Sequence, residues 1–254
     1  MTGIPPERAG AKRGLFVTGT DTGIGKTLVS ALLVAALKQA GRRAGYFKPV
    51  QTGPESDSAT VARLCGIAAG DLPRPAYSLA MPASPDRAAA AEGVAIELER
   101  IDSAWNDLPP GEWIVEGAGG LLVPLDGRRT VRDLIAMLHM PLLIVSPTRL
   151  GTINHTLLTL EAARSAGLAI GGLVLNGEPD PGLAGIFARF DPAPTVAAIP
   201  PLERLTPEAC ARRARQAFPE PVLRRLFGQA RRVPARAARG GPRAGARAGP
   251  GRAG

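Results

Sequence analysis

Gly25-Lys26-Thr27 stands between an apolar run, Leu15–Thr18, and the stretch TLVSALLVAALKQ at residues 27–39. A strand that turns through glycines straight into a helix leaves unpaired amides and the positive end of the helix dipole facing one point. Such a point suits an anion, above all a phosphate. The usual pattern places four residues between its first glycine and the Gly-Lys-Thr. Here Thr20 occupies that first position, and the nearest glycine, Gly19, comes one residue early. The alternative is an ordinary strand-turn-helix junction. A strand before and a helix after favour the phosphate loop.

The rest of the chain repeats this alternation. Apolar, β-rich runs at Leu15–Thr18, Ala44–Phe47, Trp113–Glu116, Leu142–Ser146, Gly172–Asn176 and Thr195–Ile199 read as strands. Helical patterns at Lys26–Ala40, Ser58–Leu64, Ile96–Asn106, Val131–Leu138, Ile153–Ala166, Leu183–Phe190 and Pro207–Phe227 lie between or after them. Continuous apolar strands separated by helices imply a mainly parallel sheet covered on both faces, a doubly wound α/β fold that binds ligands beyond the carboxyl ends of its strands. One domain is expected over 14–227, with a disordered leader at 1–13 and a disordered Arg/Ala/Gly/Pro tail at 228–254.

The formal charge is +9, but residues 228–254 carry seven arginines and no acid, and subtracting those seven leaves +2 for the rest. The body is therefore near neutral. The tail has no aromatic residue for base stacking, so nucleic acid is not expected as a partner. No apolar run approaches the roughly 20 residues that span a bilayer, and the leader has no apolar core of a secretory signal. Cys65 and Cys210 lie far apart with no metal-ligand spacing, which points to a reducing cytoplasm.

Only four of 31 basic residues are lysine: Lys12, Lys26, Lys38 and Lys48. In a chain so rich in arginine, a lysine marks a place where a compact ammonium is wanted. Lys12 and Lys38 read as solvated charge. Lys26 and Lys48 both follow strands. Lys48 lies in FKPVQTG, where Pro49 stops further pairing and Gly53 closes the loop, so Lys48 and Thr52 either face the phosphate loop or sit on an ordinary surface loop. Asp57 begins a helix and is an N-cap or a metal ligand. Glu116 ends an apolar strand before the glycine-rich Gly117-Ala118-Gly119-Gly120, where a nucleotide-binding sheet carries its Mg2+ acid. Leu150-Gly151-Thr152-Ile153-Asn154 opens a helix and offers amides to a carboxylate, or merely caps it. Asn176 pairs with a nucleobase edge or forms a turn. His139 and His155 have no matching partners and are structural.

Taken together, GTDTGIGKT, KPVQTG, Asp57, VEGAGGLLVPL, LGTINHTLLTLEAARSAGL and LNG followed by IPPL resemble the dethiobiotin synthetases, ATP-dependent ligases of the P-loop NTPase superfamily. The resemblance spans Gly14 to Leu202. In that family five residues separate Gly from Gly-Lys-Thr, which accounts for Thr20. It implies closure of the ureido ring of dethiobiotin from 7,8-diaminononanoate, CO2 and ATP. Gly23, Ile24, Gly25, Lys26, Thr27 and Leu28 would wrap the phosphates, and Thr27, Asp57 and Glu116 would hold Mg2+. Lys48 would be catalytic beside Lys26, with Thr22 and Thr52 on the substrate. Gly117, Ala118 and Gly119 would line the nucleotide site, and Asn176, Gly177, Pro200, Pro201 and Leu202 would contact adenine. Gly151, Thr152, Ile153 and Asn154 would bind the substrate carboxylate from the partner subunit of a homodimer. The family commonly carries a histidine where this chain has Asp86, its loop between Gly53 and Asp57 is short here, and the tail is outside its pattern. Two rivals carry their own marks. Partitioning ATPases of the superfamily have an extra lysine early in the loop, where this chain has Thr20, Asp21 and Thr22. The amide-forming synthetases of corrin assembly need a glutaminase domain, for which the chain lacks room.

Overall fold

The computed structural model describes residues 12–68 and 72–228. The expected tail lies outside them except for Gly228, as does most of the leader. The chain runs β1 (Lys12–Gly19), α1 (Lys26–Gln39), β2 (Ala44–Phe47), β3 (Val50–Thr52), α2 (Asp57–Cys65), β4 (Tyr77–Leu79), α3 (Pro85–Ala91), α4 (Leu98–Asn106) and β5 (Gly111–Gly120). It continues through α5 (Val131–Leu138), β6 (Leu142–Pro147), α6 (Thr152–Ser165), β7 (Ile170–Asn176), α7 (Pro181–Phe190), β8 (Thr195–Ile199), α8 (Pro207–Ala217) and α9 (Glu220–Gly228).

Six strands form one sheet in the order β2-β5-β1-β6-β7-β8, and every pairing is parallel. Side chains alternate between its faces. Leu15, Val17, Ile114, Leu143 and Val145 enter one core with α1, α8 and α9. Phe16, Trp113, Val115, Leu142 and Ile144 enter the other with α4, α5 and α6. Residues Val29–Leu37 of α1 are buried throughout, because the sheet covers one side and α2 and α8 the other. Each fully buried leucine there contributes about 1.5–3 kcal/mol.

Several expectations need correction. The segment Pro207–Phe227 is two helices, not one: Pro219 has no N–H to give and pushes Phe218 out of helical geometry, to φ −128°, ψ 64°. The run Gly117–Gly120 is not a turn but the end of β5, paired with β1 as far as Gly19↔Gly120 across a bulge. Glycine permits that approach, since a Cβ on Gly117 would stand 2.9 Å from the Phe16 ring. Pairing of β2 with β5 does stop at Phe47, before Pro49, but the chain then pairs afresh: the Pro49 carbonyl accepts the Tyr77 amide, and β3 and β4 make a separate two-stranded parallel sheet. Lys12 begins β1 rather than lying in a leader, donating to the carbonyls of Trp105 and Asn106 with its ammonium over the Trp105 ring. Lys38 caps α2 by donating to the Cys65 carbonyl at 2.8 Å.

Candidate functional site

The strand ends of β1, β2 and β5 converge on the N-terminus of α1. Between β1 and α1 the loop is anchored at its start by the Thr20 amide, which donates to the Val145 carbonyl of β6 at 3.0 Å. Gly23 and Gly25 take φ of +71° and +92°, the left-handed region that favours glycine. Gly25 is the N-cap and provides no side-chain cap, and the first turn of α1 holds no acid. The amides of that turn are thus left for an external anion. Lys26 is buried and folds back to donate to the Asp21 carbonyl at 2.9 Å. Burial, and then the neighbouring Lys48, push its ammonium pKa below the ordinary lysine value.

Lys48 sits immediately past β2 and is 4% exposed, a setting no ammonium tolerates unpaired. Its Nζ lies 2.7 Å from Asp57 Oδ2 and 3.1 Å from Glu116 Oε1, and donates to the Gly117 carbonyl at 3.0 Å. Burial alone would depress its pKa, but Glu116 and Asp57 outweigh it and the group is raised above the ordinary value. The register explains the meeting with Glu116: Phe47 pairs with Val115, so the next residue of each chain stands side by side. The Thr27 hydroxyl completes the cluster, 2.9 Å from Asp57 Oδ1 and 3.0 Å from Glu116 Oε1.

Two residues that the sequence reading passed over hold this cluster. Tyr46 donates its hydroxyl to Glu116 Oε2 at 2.9 Å from a fully buried position. Gln51 accepts from the Asp57 amide at 3.2 Å and donates to the carbonyls of Thr52 and Glu55, shaping the loop that presents Asp57. The N-cap of α2 is Ser56, whose side chain accepts from Ala59, so Asp57 is the first helical residue and its carboxylate is free for Lys48 and Thr27. A buried tyrosine reads as core in any sequence. No local pattern gives away its hydroxyl.

The other expected residues fall around this centre. Thr22 lies beside Gly119, whose Cβ, if present, would stand 3.6 Å from the Thr22 hydroxyl. Ile24 offers its carbonyl to Asn176 Nδ2 at 2.8 Å, and a Cβ on Gly25 would stand 2.2 Å from that same nitrogen. Asn176 therefore pegs the phosphate loop to the end of β7. Leu28 lies one residue past Thr27 in α1, half-buried, and Ala118 continues β5 beyond Gly117. Thr52 ends β3. Gly177 and Pro200 line a cavity of about 250 Å3 with Thr148, Glu178, Asp180 and Arg213, while Pro201 and Leu202 lie just outside its lining. Arg213 brings to it a buried Nε without a hydrogen-bond partner.

Gly151–Asn154, at the start of α6, are not brought to Lys48 within one chain. Thr152 turns its hydroxyl inward to Ser146, 2.7 Å away, and is buried. Gly151, Ile153 and Asn154 face outward. Beside them Arg149 reaches Asp21 of the phosphate loop at 3.3 Å, an exposed ion pair the sequence reading also missed. Ser84 donates to Asp86 at 2.6 Å at the start of α3.

Comparison with known proteins extends this geometry. A family model described as an AAA domain matches residues 13–209. The ATP-dependent dethiobiotin synthetase BioD of Agrobacterium fabrum is 42% identical over 198 residues, covering 76% of this chain and 88% of that protein. The biotin biosynthesis bifunctional protein BioCD of Bordetella avium is 44% identical over 200 residues, covering 78% of this chain. This chain spans 41% of that longer protein. Among solved structures, the MinC:MinD cell division complex of Aquifex aeolicus shares the fold at TM-score 0.55 and 14% identity, over 87% of this chain and 98% of that one.

Proposed function

The chain belongs to the ATP-dependent dethiobiotin synthetase family, and from that premise we propose that the cleft around Lys48 closes the ureido ring of dethiobiotin. In this reading one amine of 7,8-diaminononanoate takes up CO2 as a carbamate. A carbamate oxygen attacks the γ-phosphorus of ATP and ADP leaves. The second amine then attacks the carbonyl carbon of the mixed anhydride and expels phosphate. Each step moves or spreads negative charge, so the protein's task is positioning and neutralisation.

The observation that carries the reading is the Lys48 ammonium, buried at the end of β2 and held by two acids beside the phosphate loop. Its raised pKa keeps it protonated at neutral pH, where it serves as a donor and counter-charge and not as a base. Lys26 and the free amides of Gly23–Leu28 receive the phosphates. Thr22 and Thr52 border the substrate, and Gly117, Ala118 and Gly119 form the wall of the nucleotide cleft. Thr27, Asp57 and Glu116 fit Mg2+: the Thr27 hydroxyl lies within hydrogen-bond distance of both carboxylates, these are the hard oxygen donors this ion prefers, and the two acids already accommodate an ammonium. The ion, when bound, neutralises charge on the β- and γ-phosphates.

Adenine would enter the cavity bordered by Gly177 and Pro200, with Pro201 and Leu202 at its rim. Asn176 commits its Nδ2 to Ile24, which leaves Oδ1 as the acceptor for the adenine amine. The substrate carboxylate would meet Gly151–Asn154 of the partner subunit in a homodimer. Leu150 just before α6 and Ile153 in its first turn are exposed apolar side chains that a second copy would cover. A cytoplasmic setting fits the unbridged Cys65 and Cys210, and no helix among the described residues is long and apolar enough to cross a membrane.

The test is direct. Protein incubated with the diamine, bicarbonate, Mg2+ and ATP is expected to yield dethiobiotin and phosphate in equal amounts. Phosphate release without dethiobiotin overturns the reading.

A further inference from the structure

Glu116 has two oxygens, and the structure assigns them different duties. We propose that Tyr46 is a positioning residue for the proposed cation site: its hydroxyl fixes Glu116 Oε2, so that Oε1 alone serves Thr27, Lys48 and the divalent ion. This rests on the reading of Thr27, Asp57 and Glu116 given above.

Tyr46 and Lys48 are two residues apart at the end of β2, so they leave the strand on the same face. That face is shared by Ile114 of β5, directly opposite Tyr46, and hence by Glu116 two residues further. An aromatic side chain is long enough to reach such a diagonal neighbour. The hydroxyl arrives at Oε2 from within the core, 2.9 Å away, while Lys48 and Thr27 approach Oε1 at 3.1 and 3.0 Å from the cleft. Both residues are closed to solvent, Tyr46 at 0% and Glu116 at 1% exposure, so no water substitutes for this bond.

The arrangement has a chemical consequence. A carboxylate free to rotate would offer both oxygens to the Lys48 ammonium, trapping the charge that the phosphoryl transfer needs and closing the ligand position. Tied at Oε2, Glu116 presents one oxygen in one direction.

Tyr46→Phe in the full-length protein removes one atom and tests this. With Mn2+ as probe and a non-hydrolysable ATP analogue present, free Mn2+ measured by electron paramagnetic resonance should show affinity about 10-fold weaker or more. The kcat should fall while the KM for the diamine stays within about twofold of wild type. Because Tyr46 acts through Glu116, the double variant Tyr46→Phe/Glu116→Gln should bind Mn2+ no more weakly than Glu116→Gln alone. Wild-type Mn2+ affinity in Tyr46→Phe, or losses that add in full, overturns the proposal. If Glu116→Gln itself binds Mn2+ like wild type, the cation-site reading fails instead. Should Tyr46→Phe not fold, the chain's two tyrosines, Tyr46 and Tyr77, permit 3-fluorotyrosine labelling. The Tyr46 fluorine resonance, assigned with Tyr77→Phe, should then shift on addition of Mg2+ with the analogue. An unmoved resonance overturns the proposal.

Discussion

Lys48 shows what a single buried charge demands of its surroundings. An ammonium taken from water costs several kcal/mol, and only the pairing with Asp57 and Glu116 makes its position tenable. Lys48→Ala removes the cation and leaves two acids facing each other, with Tyr46 and Thr27 still bonded to Glu116. The variant is expected to fold with stability lowered by about 3 kcal/mol, to bind ATP, and to form dethiobiotin at least about 100-fold more slowly. Urea unfolding and product assays check both parts. Undiminished turnover would reject the catalytic role. The pH dependence has a definite sign: the folded pKa is raised, so the lysine's contribution is complete below its unfolded value, about 10.4, and is lost as pH rises through the folded value. The stability gap to Lys48→Ala should therefore be constant from neutral pH to the edge of that range. The placing of Lys26, Thr27, Lys48, Asp57 and Glu116 at strand ends and helix starts was legible in the sequence, because it follows from local pattern. The roles of Tyr46 and Gln51 were not, because the Tyr46 hydroxyl serves a strand 70 residues away and the Gln51 amide serves a loop whose shape no local pattern records.

Helices and strands followed their sequence signals where those signals were long. The six main strands and α1, α5 and α6 lie within a few residues of expectation, since apolar stretches bounded by glycine, proline or charged residues leave little choice. β3 and β4, with three residues each, and the seven-residue α3 are too short to show a period, and they exist because tertiary contacts complete them. The split of α8 from α9 was written in Pro219 but masked by apolar positions that continue at helical spacing across it. α5 illustrates how a local device sets a boundary. Asp133 Oδ2 accepts from both the amide and the hydroxyl of Thr130, at 2.7 and 2.8 Å. The Thr130 amide is the chief cause holding the Asp133 carboxyl below its usual range. Asp133→Ala should cost about 1 kcal/mol at pH 7. A depressed folded pKa gives stability that is present above the unfolded value, about 3.9, and lost as pH falls through the folded one. Urea curves of the two proteins should accordingly converge toward pH 2, and a gap that persists there would show that packing, not the carboxylate bond, is responsible.

At the scale of the whole molecule, the segments expected to meet adenine and the carboxylate follow neighbouring strands, β7 and β6, yet the first borders a cavity within the chain and the second faces outward. In the proposed homodimer a second copy would cover the outward segment Gly151–Asn154. Leu150→Asp combined with Ile153→Asp should convert a dimer into a monomer in sedimentation experiments and depress turnover with it. A wild-type protein that sediments as a monomer at assay concentration would discard the shared site. The strand order also sets a timetable for synthesis. β1, the strand that launches the phosphate loop, lies between β5 and β6, and neither has been made until the ribosome has passed residue 111. At ~5–20 residues per second the nascent N-terminal strand waits on the order of 5 to 20 s for its first neighbour. Through that interval the apolar body of α1 has no sheet to lie on, and its leucines stay exposed to non-native association until β5 is made.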